Sequence, residues 1–263
     1  MRRLIAALVC LGSSWGLADL TLVNEATSNG KTRQVTLSTK GNRAFFEIKE
    51  ADGTTRNMLR DAEAKKLFLI DHAKQTVVVV TEADSKALEQ KQAELRAQVA
   101  AQLARMPPEQ RARMEQTMLG PATPDAKPVQ YTYERKKTPA RKVGAFSCQD
   151  YVIKRDGAVQ GEACFMPWKD AGFTAEEFKE LMVRALPTSA TSQPMAMSFD
   201  AHANAPGVPV WRKMVDAAGN PTSEMTLKTL SKTAVAAERF ELPKGYTEKS
   251  MAESMNQPRP PAK

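Results

Sequence analysis

The sequence predicts an α+β fold, an antiparallel sheet of about ten strands interrupted by two helical segments. Three observations carry this expectation. Apolar residues alternate at period two in short runs, tight-turn dipeptides fall between those runs, and only two stretches have helical spacing. Helical segments do not alternate regularly with the strands, as parallel βαβ units would require.

Met1-Arg2-Arg3 and the apolar Leu4 to Leu11, followed by the small residues Gly16 and Ala18, read as an export signal over residues 1–18, cut after Ala18. Cys10 does not suggest a lipid anchor, because Val9 precedes it where a small residue is needed. Losing Arg2 and Arg3 removes two of the formal +8 charges and leaves a basic chain. A periplasmic or secreted location follows, in which a basic protein meets anionic lipid and wall polymers rather than nucleic acid. The mean hydropathy of −0.44 and the absence of a long apolar run exclude a polytopic membrane protein.

Beyond the signal, residues 19–249 read as a single domain. Leu20 and Leu22, then Val35 and Leu37, alternate as strands, and Phe45-Phe46-Glu47-Ile48 follows a Gly41-Asn42 turn. Asp52-Gly53 marks a further turn. Lys66 to Ile70 and Gln75 to Val80 flank Asp71-His72-Ala73-Lys74 as a hairpin. Later strands are Val129 to Arg135, Lys142 to Lys154, Val159 to Trp168, Val208 to Val215, Ser223 to Leu230 and Ala237 to Leu242.

The first helical segment, 83–119, is a hairpin inserted between strands. Ala83 to Met106 is rich in helix formers, with Leu88, Leu95, Val99 and Leu103 in a narrow stripe; Pro107-Pro108 breaks it before Glu109 to Leu119 resumes. Its charges are balanced, unlike a nucleic-acid stripe. It reads as a cover on one sheet face, a lid over a cavity, or an arm that docks on a partner. The second segment opens with a capping box, Thr174-Ala175-Glu176-Glu177, and sets Phe178, Leu181, Met182 and Ala185 on one face until Pro187.

Removal of the signal leaves Cys148 and Cys164, an even pair in an oxidising compartment. Arg155-Asp156-Gly157 turns the chain between their two strands, so a structural disulfide is expected. The Pro-rich end, 250–263, predicts a disordered tail.

No motif names a catalytic group, a cofactor or a metal, and the protein reads as non-enzymatic. His72 and His202 read as exposed turn residues, and Met195-Ala196-Met197 as packing rather than soft-metal ligands. Arg135, Lys136, Lys137, Arg141 and Lys142 form a basic run, either a solvated hairpin or a peripheral contact with an anionic membrane surface.

Lys65 to Thr76, Pro107 to Gln116, Phe146 to Tyr151 and Phe240 to Tyr246 together resemble an exported bacterial family, domain of unknown function 4412. That family is similar to the lipoprotein-carrier (LolA-like) fold. The resemblance implies an antiparallel half-barrel wrapped around helices, with an apolar cavity that holds acyl chains. The combined expectation is a curved antiparallel sheet whose concave face is covered by both helical segments. Its function would be to bind or carry a hydrophobic or acylated ligand, with Phe46, Ile48, Leu67, Leu69, Val78, Val80, Phe178 and Met182 as candidate lining. The same residues would serve equally as core. The alternative is an envelope structural or interaction protein that docks a protein partner through the 83–119 arm.

Overall fold

The structure, a computed structural model, describes residues 19–107, 131–185, 204–216 and 218–255. The expected export signal, the expected helix at 109–119, Met195, Met197 and His202 lie outside those residues.

Strands β1 (Leu20–Ser28), β2 (Lys31–Lys40), β3 (Arg43–Glu50), β4 (Thr55–Asp61), β5 (Lys66–Asp71) and β6 (Thr76–Thr81) form an antiparallel meander. Helix α1 (Glu82–Leu103) follows. Next come β7 (Tyr131–Arg135), β8 (Arg141–Val143), β9 (Phe146–Arg155) and β10 (Ala158–Pro167), and then helices α2 (Trp168–Ala171) and α3 (Ala175–Ala185). Strands β11 (Gly207–Val215), β12 (Pro221–Ser231) and β13 (Thr247–Ser250), with helix α4 (Met251–Met255), complete the described chain.

All thirteen strands among the described residues belong to one open sheet in the order β13-β6-β5-β4-β3-β2-β1-β12-β11-β10-β9-β7, with β8 on the side of β9. Pairing of β1 with β12 joins the two halves, and β13 is the one described strand laid parallel to its neighbour, β6. The sheet is therefore antiparallel as expected but has thirteen strands rather than about ten. Three differences account for this. Thr55–Asp61 reads as polar yet forms β4, because its neighbouring residues Met58 and Leu59 pack into two different clusters. Gly144, at φ +57°, turns the chain and splits the expected Lys142 to Lys154 strand into β8 and β9. Strand β13 is a short parallel addition that carries no alternation signal.

Two further expectations are corrected. Ala237 to Leu242 is not a strand; Ala237–Phe240 is a 3-10 turn within a strap that crosses the sheet. Phe240, Leu242 and Tyr246 pack there on Phe45, Leu59, Phe68, Ile70 and Val77. Polar ties hold the strap: Val235 N donates to Asp19 at 2.7 Å, Lys40 Nζ donates to the Val235 carbonyl at 2.6 Å and Arg43 donates to the Phe240 carbonyl at 3.3 Å. Within the segment expected to be a disordered tail, Met251–Met255 form α4, started by a Ser250–Glu253 capping pair.

Phe45 and Phe46 show why the strap is needed. Side chains alternate across a strand, so these neighbours enter different clusters, and each sheet face requires its own cover. The Phe46 cluster is closed by α2, α3 and the connection between them, through Ala171, Phe173, Phe178, Leu181, Met182 and Ala185. Register shifts at Val23/Asn24, Val159/Gly161, Cys164/Phe165 and Met214/Val215 increase the local twist, and all four lie in strands β1 and β9 to β12. That half of the sheet curls around the helices. At Gly161 the backbones come so close that an added Cβ would collide with the Lys213 carbonyl oxygen.

Helix α3 begins as its sequence predicts: Glu177 N donates to Thr174 Oγ1 at 3.1 Å and Thr174 N donates to the Glu177 carboxylate at 2.8 Å. Thr174→Ala removes one half of this cap and is expected to lower the unfolding free energy by about 1 kcal/mol, measured by urea denaturation.

Helix α1 does not cover the concave face as expected. Its main contact with the sheet is at β6, and Leu95 is 53% exposed. Four apolar positions, Leu88, Leu95, Val99 and Leu103, make too narrow a stripe to dock a helix of 22 residues along its length. Leu103 at its far end is buried, and its first turn is tied to the end of β6, where Asp84 accepts from Thr81 N at 2.8 Å and from Thr81 Oγ1 at 2.6 Å. The Thr81 hydroxyl and amide hold the Asp84 carboxyl below its ordinary value of 3.8. The folded state thus favours the charged form, and this contribution is present above that value and lost as pH falls below it. Acid titration followed by far-UV circular dichroism should show α1 fraying in that range, and Asp84→Asn should abolish the step.

Candidate functional site

A cavity of about 340 Å³ opens where the sheet curls most, between β1, β2, β3, β11, β12 and α3. Its apolar wall includes Leu22, Val35, Leu37, Phe46, Phe178 and Leu227. This volume falls at the small end of the range for small-molecule pockets, roughly 300–1,000 Å³. Polar groups gather at one side, with Arg33, Arg212, Ser28, Ser223 and Glu224 among them. Glu224 is already committed, accepting from Trp211 Nε1 at 2.6 Å. Arg212 lies near Tyr133, and burial pushes its guanidinium below the ordinary arginine value. Burial likewise pushes the Tyr133 phenol up to about 12, against the opposing pull of Arg212. The arrangement is an apolar slot with a cationic edge.

The candidate lining residues divide among several places. Phe46 and Phe178 line this cavity. Met182 is buried in the same cluster without lining it. Leu67 and Val80 face each other across β5 and β6 and line a different cavity, of about 450 Å³, beneath the start of α1. Leu69 pairs with Val78 on the same two strands, but Leu69 is 37% exposed and Val78 half-buried, and neither lines a described cavity. Ile48 is half-buried beyond Phe46 on β3. Leu22, Val35 and Leu37 read as strand residues in the sequence. Their place in a cavity depends on the β1–β12 pairing, which joins residues some two hundred positions apart and leaves no local signal.

Cys148 and Cys164 form the expected disulfide, on neighbouring strands β9 and β10. It lies in the core with both residues essentially inaccessible. His72 is exposed in the β5–β6 turn but is not free: its ring contacts Asn57 Nδ2 at 2.6 Å and the Tyr246 hydroxyl at 2.8 Å, so it pins the strap.

Three members of the basic run are engaged within the chain. Arg135 donates to Gln149 at 3.2 Å, Lys136 pairs with Glu162 at 2.6 Å, and Arg141 pairs with Asp150 at 3.0 Å while lying over the Trp211 ring. Lys137 and Lys142 are exposed. Among the described residues, no cluster of three His, Cys, Asp or Glu side chains could hold a metal ion, and no helix is long and apolar enough to cross a membrane.

No family model and no curated protein matches the chain, so the resemblance to domain of unknown function 4412 finds no support there. Solved structures do resemble it at a distance. An uncharacterised conserved protein of Thermus thermophilus is 7% identical with a TM-score of 0.44, over 89% of this chain and 91% of that one. The Pseudomonas aeruginosa MucA/MucB complex is 8% identical with a TM-score of 0.37, over 86% of this chain and 56% of that one. PNGF-II is 10% identical with a TM-score of 0.36, over 90% of this chain but 32% of its own. At such scores the architecture rests on the chain's own pairing: an open, mostly antiparallel sheet of thirteen strands with a few helices, an α+β fold.

Proposed function

We propose that this is a non-enzymatic extracytoplasmic binding protein whose cavity between the curled strands and α3 takes a hydrophobic or acylated ligand. The observation that carries this reading is the apolar wall of the 340 Å³ cavity, built by Leu22, Val35, Leu37, Phe46, Phe178 and Leu227. Water against that apolar wall lacks hydrogen-bond partners there, and an alkyl chain releases it. The compartment is inferred from the buried disulfide, which persists where thiols are oxidised. Native mass spectrometry of the gently extracted protein tests the reading. A co-purifying lipid, or a mass shift with fatty-acyl probes, is expected; neither appearing would count against it.

A second reading, an envelope interaction protein, is favoured by one observation. Helix α1 runs for 22 residues with most of its surface exposed, including Leu95. The exposed middle of this helix is available to a partner protein. Deletion of 83–119 separates the two readings: a shortened protein that keeps acyl binding but loses a captured envelope partner would assign the arm to docking.

A further inference from the structure

We propose that the cavity beneath the start of α1 is a second site, distinct from the apolar slot, and that it takes a phosphate-bearing anion. Four cations line this space, Arg60 from β4, Lys65 and Lys66 from the β4–β5 connection and the start of β5, and Lys86 from α1, against two carboxylates, Glu82 and Glu89. Leu67 and Val80 line it as well.

The key group is Arg60. Its Nε donates to the Arg184 carbonyl at the end of α3 at 2.8 Å, which fixes the direction of the guanidinium. The side chain is half-buried, yet no carboxylate pairs with it among the described residues. Three nearby acids are committed elsewhere, Asp61 to Arg43 at 3.2 Å, Glu180 to Arg184, and Glu82 to Lys65 at 3.2 Å and Lys86 at 3.0 Å, while Glu89 lines the same space from α1 without an ion pair to Arg60. A partly desolvated cation without a directly paired carboxylate is costly, and an anion in a cavity where cations outnumber acids relieves that cost. With Nε occupied, the two terminal amino groups remain to donate to a group with several acceptor oxygens.

The balance of charge selects the ligand class. Two cations in excess on the lining match a phosphate monoester, which carries roughly −1.5 to −2 charges near neutral pH, better than a single carboxylate. The end of α1 is not needed for this argument, because Thr81 and Asp84 already cap it. The phosphate could be free in solution or borne by a lipid headgroup, and the experiment separates these sources. This site is separate from the basic run at 135–142; here the cations line one space, and Arg60 and Lys66 have no ion pair among the described residues.

The test is isothermal titration of the full chain with inorganic phosphate against chloride at matched ionic strength, with sedimentation on phosphatidylcholine vesicles with and without phosphatidic acid. Saturable phosphate binding is expected, weakened at least tenfold in Arg60→Gln and severalfold in Lys66→Gln, with Lys137→Gln unchanged. Lys66 is exposed, so Lys66→Gln keeps the test valid if Arg60→Gln fails to fold. Preference for phosphatidic acid with the same variant pattern would assign the site to headgroups; binding of phosphate alone would assign it to a soluble ligand. The proposal is overturned if neither probe binds, if Arg60→Gln and Lys66→Gln bind as the parent does, or if Lys137→Gln weakens binding equally. Acyl-probe binding in the other cavity should be indifferent to these variants, so the two proposals fail separately.

Discussion

Phe46→Ala should lower the unfolding free energy by about 3–5 kcal/mol, the usual cost of truncating a buried phenylalanine. Phe46 is 2% exposed on β3, in the cluster that includes Leu22, Leu37, Phe178 and Met182. Two separate losses add. The ring gives up its burial, and the space it leaves merges with the cavity it already lines, so the wall has little reason to collapse around the smaller side chain. Urea denaturation with an unchanged slope would show that stability, rather than the compactness of either state, has moved. Ile48→Ala, two residues along the same strand at a half-buried position, should cost markedly less. Equal losses at the two positions would mean that the cluster is not where stability is concentrated.

Reduction of the Cys148–Cys164 bond should cost about 3 kcal/mol, the chain-entropy value for a loop of roughly this size. The bond closes a separation of 16 residues and ties β9 to β10 across the hairpin turned by Asp156 and Gly157. Because Cys148 and Cys164 are 1% and 0% exposed, reductant reaches them only through opening of the hairpin or of the whole domain. The native protein should therefore resist dithiothreitol at ambient temperature, then unfold at a lower midpoint once reduced in denaturant and refolded. A Cys148→Ala/Cys164→Ala double variant as stable as the oxidised parent would contradict this assignment.

The parts of this architecture that the sequence revealed are those governed by neighbouring residues. The β9–β10 hairpin announces itself through Asp156-Gly157, whose positive φ angles of 49° and 86° suit a tight turn. Helix α3 announces itself through Thr174 and Glu177, and the disulfide through the even pair of cysteines that remains when the expected export signal is set aside. The parts that were not legible depend on distant chain segments. Strand β4 reads as polar because its covered residues divide between two faces. The 232–246 strap looks like a strand because Phe240 and Leu242 alternate, yet the β6 edge is taken by β13 and the strap lies across the sheet instead.

The same division runs through the candidate sites. Phe46 and Phe178 were legible as apolar residues on a strand and on an amphipathic helix. The rest of the slot is assembled by the β1–β12 junction and by the bulges that curl it. The cationic cavity draws Arg60, Lys65, Lys66 and Lys86 from three neighbouring elements, so no run of charge in the sequence marks it. In the run that does stand out, Arg135 to Lys142, two of the five cations pair with carboxylates, Lys136 with Glu162 and Arg141 with Asp150, and Arg135 is held by the neutral Gln149 amide.

The most direct test of the binding account is a titration of a fluorescent fatty-acyl probe into the parent protein and into Val35→Trp. Val35 lines the slot from β2 and is half-buried, so an indole there fills the space while the buried core is left in place. The account predicts saturable one-to-one binding to the parent and its loss in Val35→Trp, with the thermal midpoints of the two proteins close together. Failure of the parent to bind the probe, or equal binding by both proteins, would contradict it.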